Sequence, residues 1–433
     1  MAFLTTRRTL FVTAAALALG TALTAPASAQ DVTLTYLVDN APNTVAVAEA
    51  MKADFEAKNP GIVLEIETRP QGADGDNIVK TRLATGEMTD VFAYNSGSLF
   101  QALNPTQTML DLTDEPYQGS INDAFKTTVT GSDGKVYGVP LGAAMGGGIY
   151  YNRPIYEELG LSVPKSWSEF MANNEKIKAA GKVPVIQTFG STWTSQLFVL
   201  GDFYNVLQEL PNFATDYTEG KAKYADNPAA MKGFERQAEV FNAGYLNEDF
   251  AAATYEEGVV KVATGEGAHY PMLTFAISAI QQLAPENVGD VGFFAIPGDD
   301  AAKNGLTVWM PGAVYISKDT EHPEEARKFA AYVASVEGCD IQNVTVGATG
   351  PYLIDGCTLP ADVPVSVSDM LPYFEAEGAT APALEFLSPI KGPALEQITV
   401  EVGSGIRTPA DGAALYDEDV RKQAMQLGLP GWN

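Results

Sequence analysis

The chain has 433 residues, 46% of them hydrophobic, with 54 acidic against 27 basic side chains and a formal net charge of −27 at pH 7. That acidity excludes an exposed basic face for nucleic acid or anionic lipid, and it implies solubility rather than a particular partner. The length suffices for two or three cores and is long for one, and two lobes are the default expectation.

The first 29 residues, MAFLTTRRTLFVTAAALALGTALTAPASA, combine a basic start, an apolar run and the small-residue pattern Ala27-Ser28-Ala29. This is the signature of a cleaved export signal, with Gln30 as the first mature residue. Arg7 and Arg8 in TTRRTLF resemble a twin-arginine signal, and the general secretory route stays open beside it. No cysteine follows the cleavage point, so no lipid anchor is expected there. No later apolar run approaches the roughly 18 residues a membrane span needs, so a soluble product outside the cytoplasm is expected. In that oxidising setting Cys339 and Cys357, the two cysteines of the chain, read as a disulfide ahead of a metal site, with two buried thiols as the alternative.

Beyond the leader, DVTLTYLV (31–38) is β-rich and apolar, and after Asn40 to Asn43 the apolar residues Val47, Met51 and Phe55 recur every four positions until NPG stops the pattern. IVLEIETRP predicts a second strand, DNIVKTRLATGE a second helix and DVFAY a third strand. Strands alternating with helices imply a parallel, helix-covered sheet. In such a sheet ligands sit beyond the carboxyl ends of the strands, which directs attention to Asp39–Asn43 and Tyr94–Ser98. GADGDN (72–77) lacks the later ligands and closing glutamate of an EF-hand loop, so it reads as a turn and no metal site is expected.

The chemistry of catalysis is largely missing. There is no G-x-S-x-G elbow, no phosphate-binding G-x-x-x-x-G-K loop, no G-x-G-x-x-G fingerprint and no H-E-x-x-H pair. Of the two histidines, His322 precedes a proline-started helix as a surface residue, and His269 lies in an apolar run as a core residue. No enzyme activity and no cofactor are expected, although 54 acids leave a chance carboxylate pair of glycosidase type open.

Several blocks in order carry a family resemblance over nearly all of the mature chain: FEAKNPGIVLEIE, LATGEMTDVFAY, YGVPLGAAMGGGIYYNRPIYEELGLSVPKSWSEF, TGEGAHYPMLTFAISAI, VGFFAIPG and GAVYISKDTEHPEEARKFAAYVAS. Together they resemble the family 1 extracellular solute-binding proteins of ABC importers, the relatives of maltose-binding protein. The resemblance implies a two-lobe α/β periplasmic binding protein fold of type II, each lobe a mainly parallel sheet flanked by helices, joined by hinge strands. It implies lobe 1 over 30–140 plus 307–350 and lobe 2 over 141–306 plus 351–433, following the leader at 1–29. It also implies a monomer that holds a solute, a sugar first among candidates, and hands it to membrane permease subunits. A polyamine, an anion or a peptide in the same fold is the alternative; an anion would want Arg69, Arg153 or Lys391 in the cleft.

LGAAMGGGIYYN then reads as the first crossing between lobes, because glycine absorbs large φ/ψ changes, with Met145 near the cleft. The other reading is a buried strand whose small residues admit a close neighbour. GLTVWMPGAVYIS (305–317) would return the chain to lobe 1, and GATGPYL near 350 would cross again. The ligand groups implied are Asp39, Asn40, Tyr94, Asn95 and Ser96 from lobe 1, Met145, Trp309 and Met310 near the hinge, and Trp193 and Phe275 from lobe 2. Phe275 stands where the family commonly has a stacking tryptophan. Sugar rings offer C–H faces to aromatic side chains and a rim of hydroxyls to polar ones.

Overall fold

A computed structural model describes residues 32–432; the predicted leader lies outside them. Lobe 1 is built on a five-stranded sheet in the order β2-β1-β3-β10-β4, formed by β1 (Val32–Asp39), β2 (Ile62–Arg69), β3 (Val91–Tyr94), β4 (Gly138–Leu141) and β10 (Gly312–Ile316). β1 runs parallel to β2 and β3, as the alternating pattern implies. It is an interior strand of the sheet, and Leu34, Tyr36, Leu37 and Val38 are buried on both of its faces, which is why the segment is mostly apolar. Helix α1 (Pro42–Lys58) follows, with Pro42 in its first turn and Met51 and Phe55 buried against the sheet.

Lobe 2 holds β5 (Met145–Asn152), β6 (Val183–Val185), β7 (Gly267–Leu273), β8 (Val291–Ala295), β9 (Leu306–Trp309) and β11 (Thr380–Pro382). β5 is its axis and pairs antiparallel with β7 on one edge and with β8 and β9 in succession on the other. Both sheets are therefore mixed. The parallel share is smaller than the alternation of elements implies, because the returning strand β10 lies antiparallel between β3 and β4. Lobe 2 also carries a separate helical core, where the helices Leu395–Gly403 and Pro409–Gln426 pack on Pro228–Asn242 around Phe234, Leu395 and Tyr416.

The crossings answer the question of the glycine run. Leu141 pairs with Gly312 on the lobe 1 side, and Met145 pairs with Trp309 on the lobe 2 side. Only Gly142–Ala144 and Met310–Pro311 lie between, and Gly142, at φ +101°, is in the region that favours glycine. Gly146, Gly147 and Gly148 are packing glycines within β5. A Cβ on Gly147 would lie 2.2 Å from the Trp309 ring. Both readings of the segment hold, each at different residues.

The third crossing runs later than 350. Ala144 N–H donates to Pro351 O at 2.7 Å, beside the first two crossings. The chain then returns to lobe 1, where Ile354 bridges Ile121. Cys357 forms a disulfide with Cys339, as the spacing implies. Only after Cys357 does the chain reach lobe 2, where the helix Val365–Glu375 packs on β8.

GADGDN is not a free turn but the start of α2 (Gly72–Thr85). His269 is fully buried. Its Nδ1–H donates to Pro184 O at 2.9 Å and its Nε2 accepts from the Tyr156 hydroxyl at 2.7 Å. Burial pushes its pKa down to about 3, so it is a neutral core residue.

Candidate functional site

A cavity of about 400 Å³ lies between the lobes and at the hinge. Lobe 1 reaches it through the carboxyl ends of its parallel strands: Asp39 ends β1, Arg69 ends β2, and Tyr94, Asn95 and Ser96 close β3. Met145, Trp309 and Met310 line it at the hinge, and Trp193 and Phe275 face it from lobe 2. Asn40 does not line it. That residue is exposed, and its N–H continues the β1–β2 ladder by donating to Arg69 O at 2.9 Å.

Three of the lining candidates have polar groups engaged within the protein, the first being Asp39, whose Oδ1 accepts from the Ala41 N–H at 2.9 Å. Ser96 Oγ donates to Pro311 O at 2.9 Å, which ties the β3 loop to the hinge. Trp309 Nε1 donates to Glu385, whose carboxylate also pairs with Lys391 at 3.3 Å. The glycine strand, the tryptophan and this ion pair therefore form one supported wall.

Lobe 2 contributes a cluster of rings. Trp193, in the short helical turn Thr192–Gln196, has its ring centroid 5.2 Å from Tyr255 and 6.0 Å from Phe275, and Tyr255 and Phe275 are 5.8 Å apart. Tyr255 is set in place by the Thr254–Glu257 capping box at the start of its helix, a local signal with nothing in it to mark a ligand-facing ring.

Arg69 is 6% exposed and lies over the Tyr94 ring at 5.4 Å, and among the described residues no carboxylate pairs with it. Burial and then Asp76 push the Tyr94 hydroxyl well above its usual pKa, so it is a neutral donor. Glu396 is also pushed up, first by burial and further by Asp76, against the opposing pull of Thr192 and Lys391. Seven buried polar atoms on these walls have no hydrogen-bond partner: Asn43 Oδ1, Arg69 Nε, Tyr94 Oη, Trp193 Nε1, Gln196 Oε1, Tyr255 Oη and Ser278 Oγ. Buried polar atoms are ordinarily paired, so a concentration of unpaired ones around a single cavity marks where a ligand supplies the partners. Among the described residues no cluster of three or more His, Cys, Asp or Glu side chains is arranged to hold a metal ion.

Residues 40–338 match the profile of the bacterial extracellular solute-binding proteins. This chain belongs to that family. The solute-binding protein is 29% identical over 287 residues to the multiple sugar-binding protein of Streptococcus mutans, an alignment covering 65% of this chain and 66%, just under two thirds, of that relative. Its fold is similar to that of a chitin oligosaccharide binding protein, with TM-score 0.80, 23% identity and 91% and 99% of the two chains covered. It is also similar to RafE in complex with raffinose, with TM-score 0.75, 24% identity and 91% and 100% coverage. No helix among the described residues of this solute-binding protein is long and apolar enough to cross a membrane.

Reading along the chain missed several cavity residues of the binding protein. Arg69 and Lys391 were visible only as basic residues near loops, while Asp76, Tyr255, Glu385 and Glu396 had no local signal. They are drawn from a span of more than 300 residues, from Arg69 to Glu396, and only the packing of one lobe against the other brings them together.

Proposed function

We propose that the protein captures a sugar or short oligosaccharide between its lobes and delivers it to the transmembrane permease subunits of an ABC importer. The observation that carries this reading is the composition of one cavity, in which three aromatic rings stand beside seven unpaired polar atoms. A pyranose presents C–H faces to rings and a circle of hydroxyls that both donate and accept, so one ligand class answers both sets. A protonated polyamine has no acceptors for Arg69 Nε and Trp193 Nε1. A free anion would meet Asp39, Asp76 and Glu396 on the same walls. The names of the similar proteins, which speak of multiple sugars, chitin oligosaccharide and raffinose, support the same class.

The reading includes binding without turnover, by a monomer that works in the periplasm once an export signal ending near Ala29 has been removed. A thermal-shift panel of raffinose, melibiose, stachyose, chitotriose and xylotriose, with spermidine and glucuronate as comparators, tests the ligand class. A ligand at 100 times its dissociation constant stabilises by about 2.7 kcal/mol. Stabilisation by spermidine or glucuronate and by no saccharide overturns the sugar reading. Chromatography of the recovered saccharide tests the absence of turnover.

A further inference from the structure

Trp193 and Trp309 both line the cavity, and they are held there in different ways. Trp193 belongs to the ring cluster of lobe 2. Trp309 ends β9 at the hinge, where it pairs with Met145 of β5. Opposed residues of an antiparallel pair, and those two further along, share one face of the sheet. Trp309, Met145, Gly147 and the Leu273 that pairs with Gly147 therefore lie on the same face. Trp309, Met145 and Leu273 all line the cavity, which makes this the cavity-facing side.

The Trp309 indole is fixed on two sides. A Cβ on Gly147 would lie 2.2 Å from its Cζ3 and 2.9 and 3.0 Å from its Cε3 and Cη2, so the six-membered ring rests on bare backbone. Its Nε1 donates to Glu385, which Lys391 holds at 3.3 Å. With one face packed and the N–H engaged, the other face of the indole is what remains for a solute, and the C–H face of a pyranose is its complement.

This platform is separate from the Trp193 cluster. β5 runs between β9 and β7. Thr274 N–H donates to Gly146 O at 2.9 Å, which brings Phe275 to the level of Met145 on the far side of β5 from Trp309. Backbones two strand spacings apart are ~10 Å from one another, and the Trp193 ring is 6.0 Å from that of Phe275. One pyranose cannot cover both platforms. The Trp193 side also carries four of the unpaired polar atoms, Trp193 Nε1, Gln196 Oε1, Tyr255 Oη and Ser278 Oγ.

We propose that the cavity holds two sugar subsites, one at the Trp193 cluster and one on Trp309, so that Trp309 selects saccharides of two or more units. The inference rests on the sugar reading and goes beyond it in setting the length of the ligand. A single unit takes the Trp193 subsite, where rings and unpaired polar atoms are both at hand. A second unit gains the free face of Trp309.

Calorimetry on the full mature chain tests this with three series: galactose, melibiose and raffinose; xylose, xylobiose and xylotriose; N-acetylglucosamine, chitobiose and chitotriose. In a series that binds, the disaccharide is expected to bind about 30-fold more tightly than the monosaccharide, the equivalent of one anchor residue. Trp309→Leu should remove that gain and leave the monosaccharide affinity within about twofold, whereas Trp193→Ala should weaken both. Trp309→Phe, which keeps a ring, should retain most of the gain. In the unsubstituted chain labelled with 5-fluorotryptophan, the Trp309 fluorine signal, assigned by its loss in Trp309→Phe, should move with the disaccharide well beyond any change the monosaccharide causes. That readout decides even if Trp309→Leu fails to fold. Equal affinity along a binding series, or a Trp309 signal unmoved by every bound saccharide, overturns the two-subsite proposal alone. A lowered melting temperature in Trp309→Leu with the gain intact assigns the residue to hinge packing and overturns it too. Binding of no saccharide overturns the sugar reading and this inference with it.

Discussion

Lobe 1 meets the cavity with the ends of three parallel strands, and what it brings there is charge and hydrogen bonding: Asp39, Arg69, Tyr94 and Asn95. Lobe 2 meets it with a helical turn, a helix start and a strand end, and what it brings is rings: Trp193, Tyr255 and Phe275. Strand ends in a buried parallel sheet hold a polar side chain within a rigid frame, while the helix starts of lobe 2 present flat faces packed on one another. Each lobe by itself offers half of what an amphipathic solute needs. On the proposed reading, closure and recognition are one event: the aromatic half alone would bind weakly, and the polar half alone would compete with water.

The largest test of this contrast is Trp193→Ala. Loss of a central aromatic anchor costs about 2–4 kcal/mol in binding, or roughly 30- to 1,000-fold in affinity, for the saccharide that stabilises best in the panel. Trp193 is only partly buried, so the melting temperature should fall little. Calorimetry beside thermal melting decides; preserved affinity with a sharply lowered melting temperature would make Trp193 a core residue and erase the aromatic half of the comparison.

The second test separates the lobes by stability. Lobe 1 alone carries a disulfide, Cys339–Cys357, and replacing both cysteines by serine is expected to cost about 3 kcal/mol on the chain-entropy view. Hydrogen exchange should place the loss in lobe 1, around Ile121 and Ile354. A third test breaks the polar wall: Arg69→Met removes a charged donor worth about 1.5–3 kcal/mol when it bonds a ligand. The affinity should fall while the shape of closure, read by small-angle scattering, persists.

The smallest effect belongs to lobe 2. His269 has a folded pKa of about 3 against about 6.5 in the unfolded chain. Between those values the unfolded state binds the extra proton, so stability is complete above pH 6.5 and is lost as pH falls. By pH 5 the loss is about 2 kcal/mol. His269→Gln should flatten that part of the pH–stability profile; an unaltered slope would assign the acid sensitivity to other groups.

Lobe 1 was the more legible half. Its β1-α1-β2-α2-β3 order follows from hydrophobic period and stop signals, because local pattern and tertiary burial agree there. GADGDN reads as a turn on the absence of the later EF-hand ligands, a test that says nothing of a helix start, whereas a Cβ at Gly75 would lie 1.9 Å from Pro70 O, so that glycine permits a tight one. The third crossing failed because Ile354 and Cys357 return to lobe 1 through long-range contacts that no local pattern records. In the site, Trp193 and Phe275 were legible through rarity and resemblance. Glu396 was not, since an acid in the first turn of a helix is ordinary, and its place on the cavity wall depends on packing far from its own segment.

Gly97 sets a limit on this protein's variation that differs in kind from the ligand contacts. A Cβ there would lie 2.4 Å from Glu385 O and 2.8 Å from the Phe386 ring, across the cleft, and its φ is +70°. The obstacle is backbone on the far lobe, which has no rotamer to yield. A single methyl at Gly97 would therefore act as a doorstop, leaving every group of the polar and aromatic walls in place and the two walls unable to meet. Affinity in such a protein is open to loss at a position that offers a solute no side chain and would pass unremarked in any inventory of recognition chemistry.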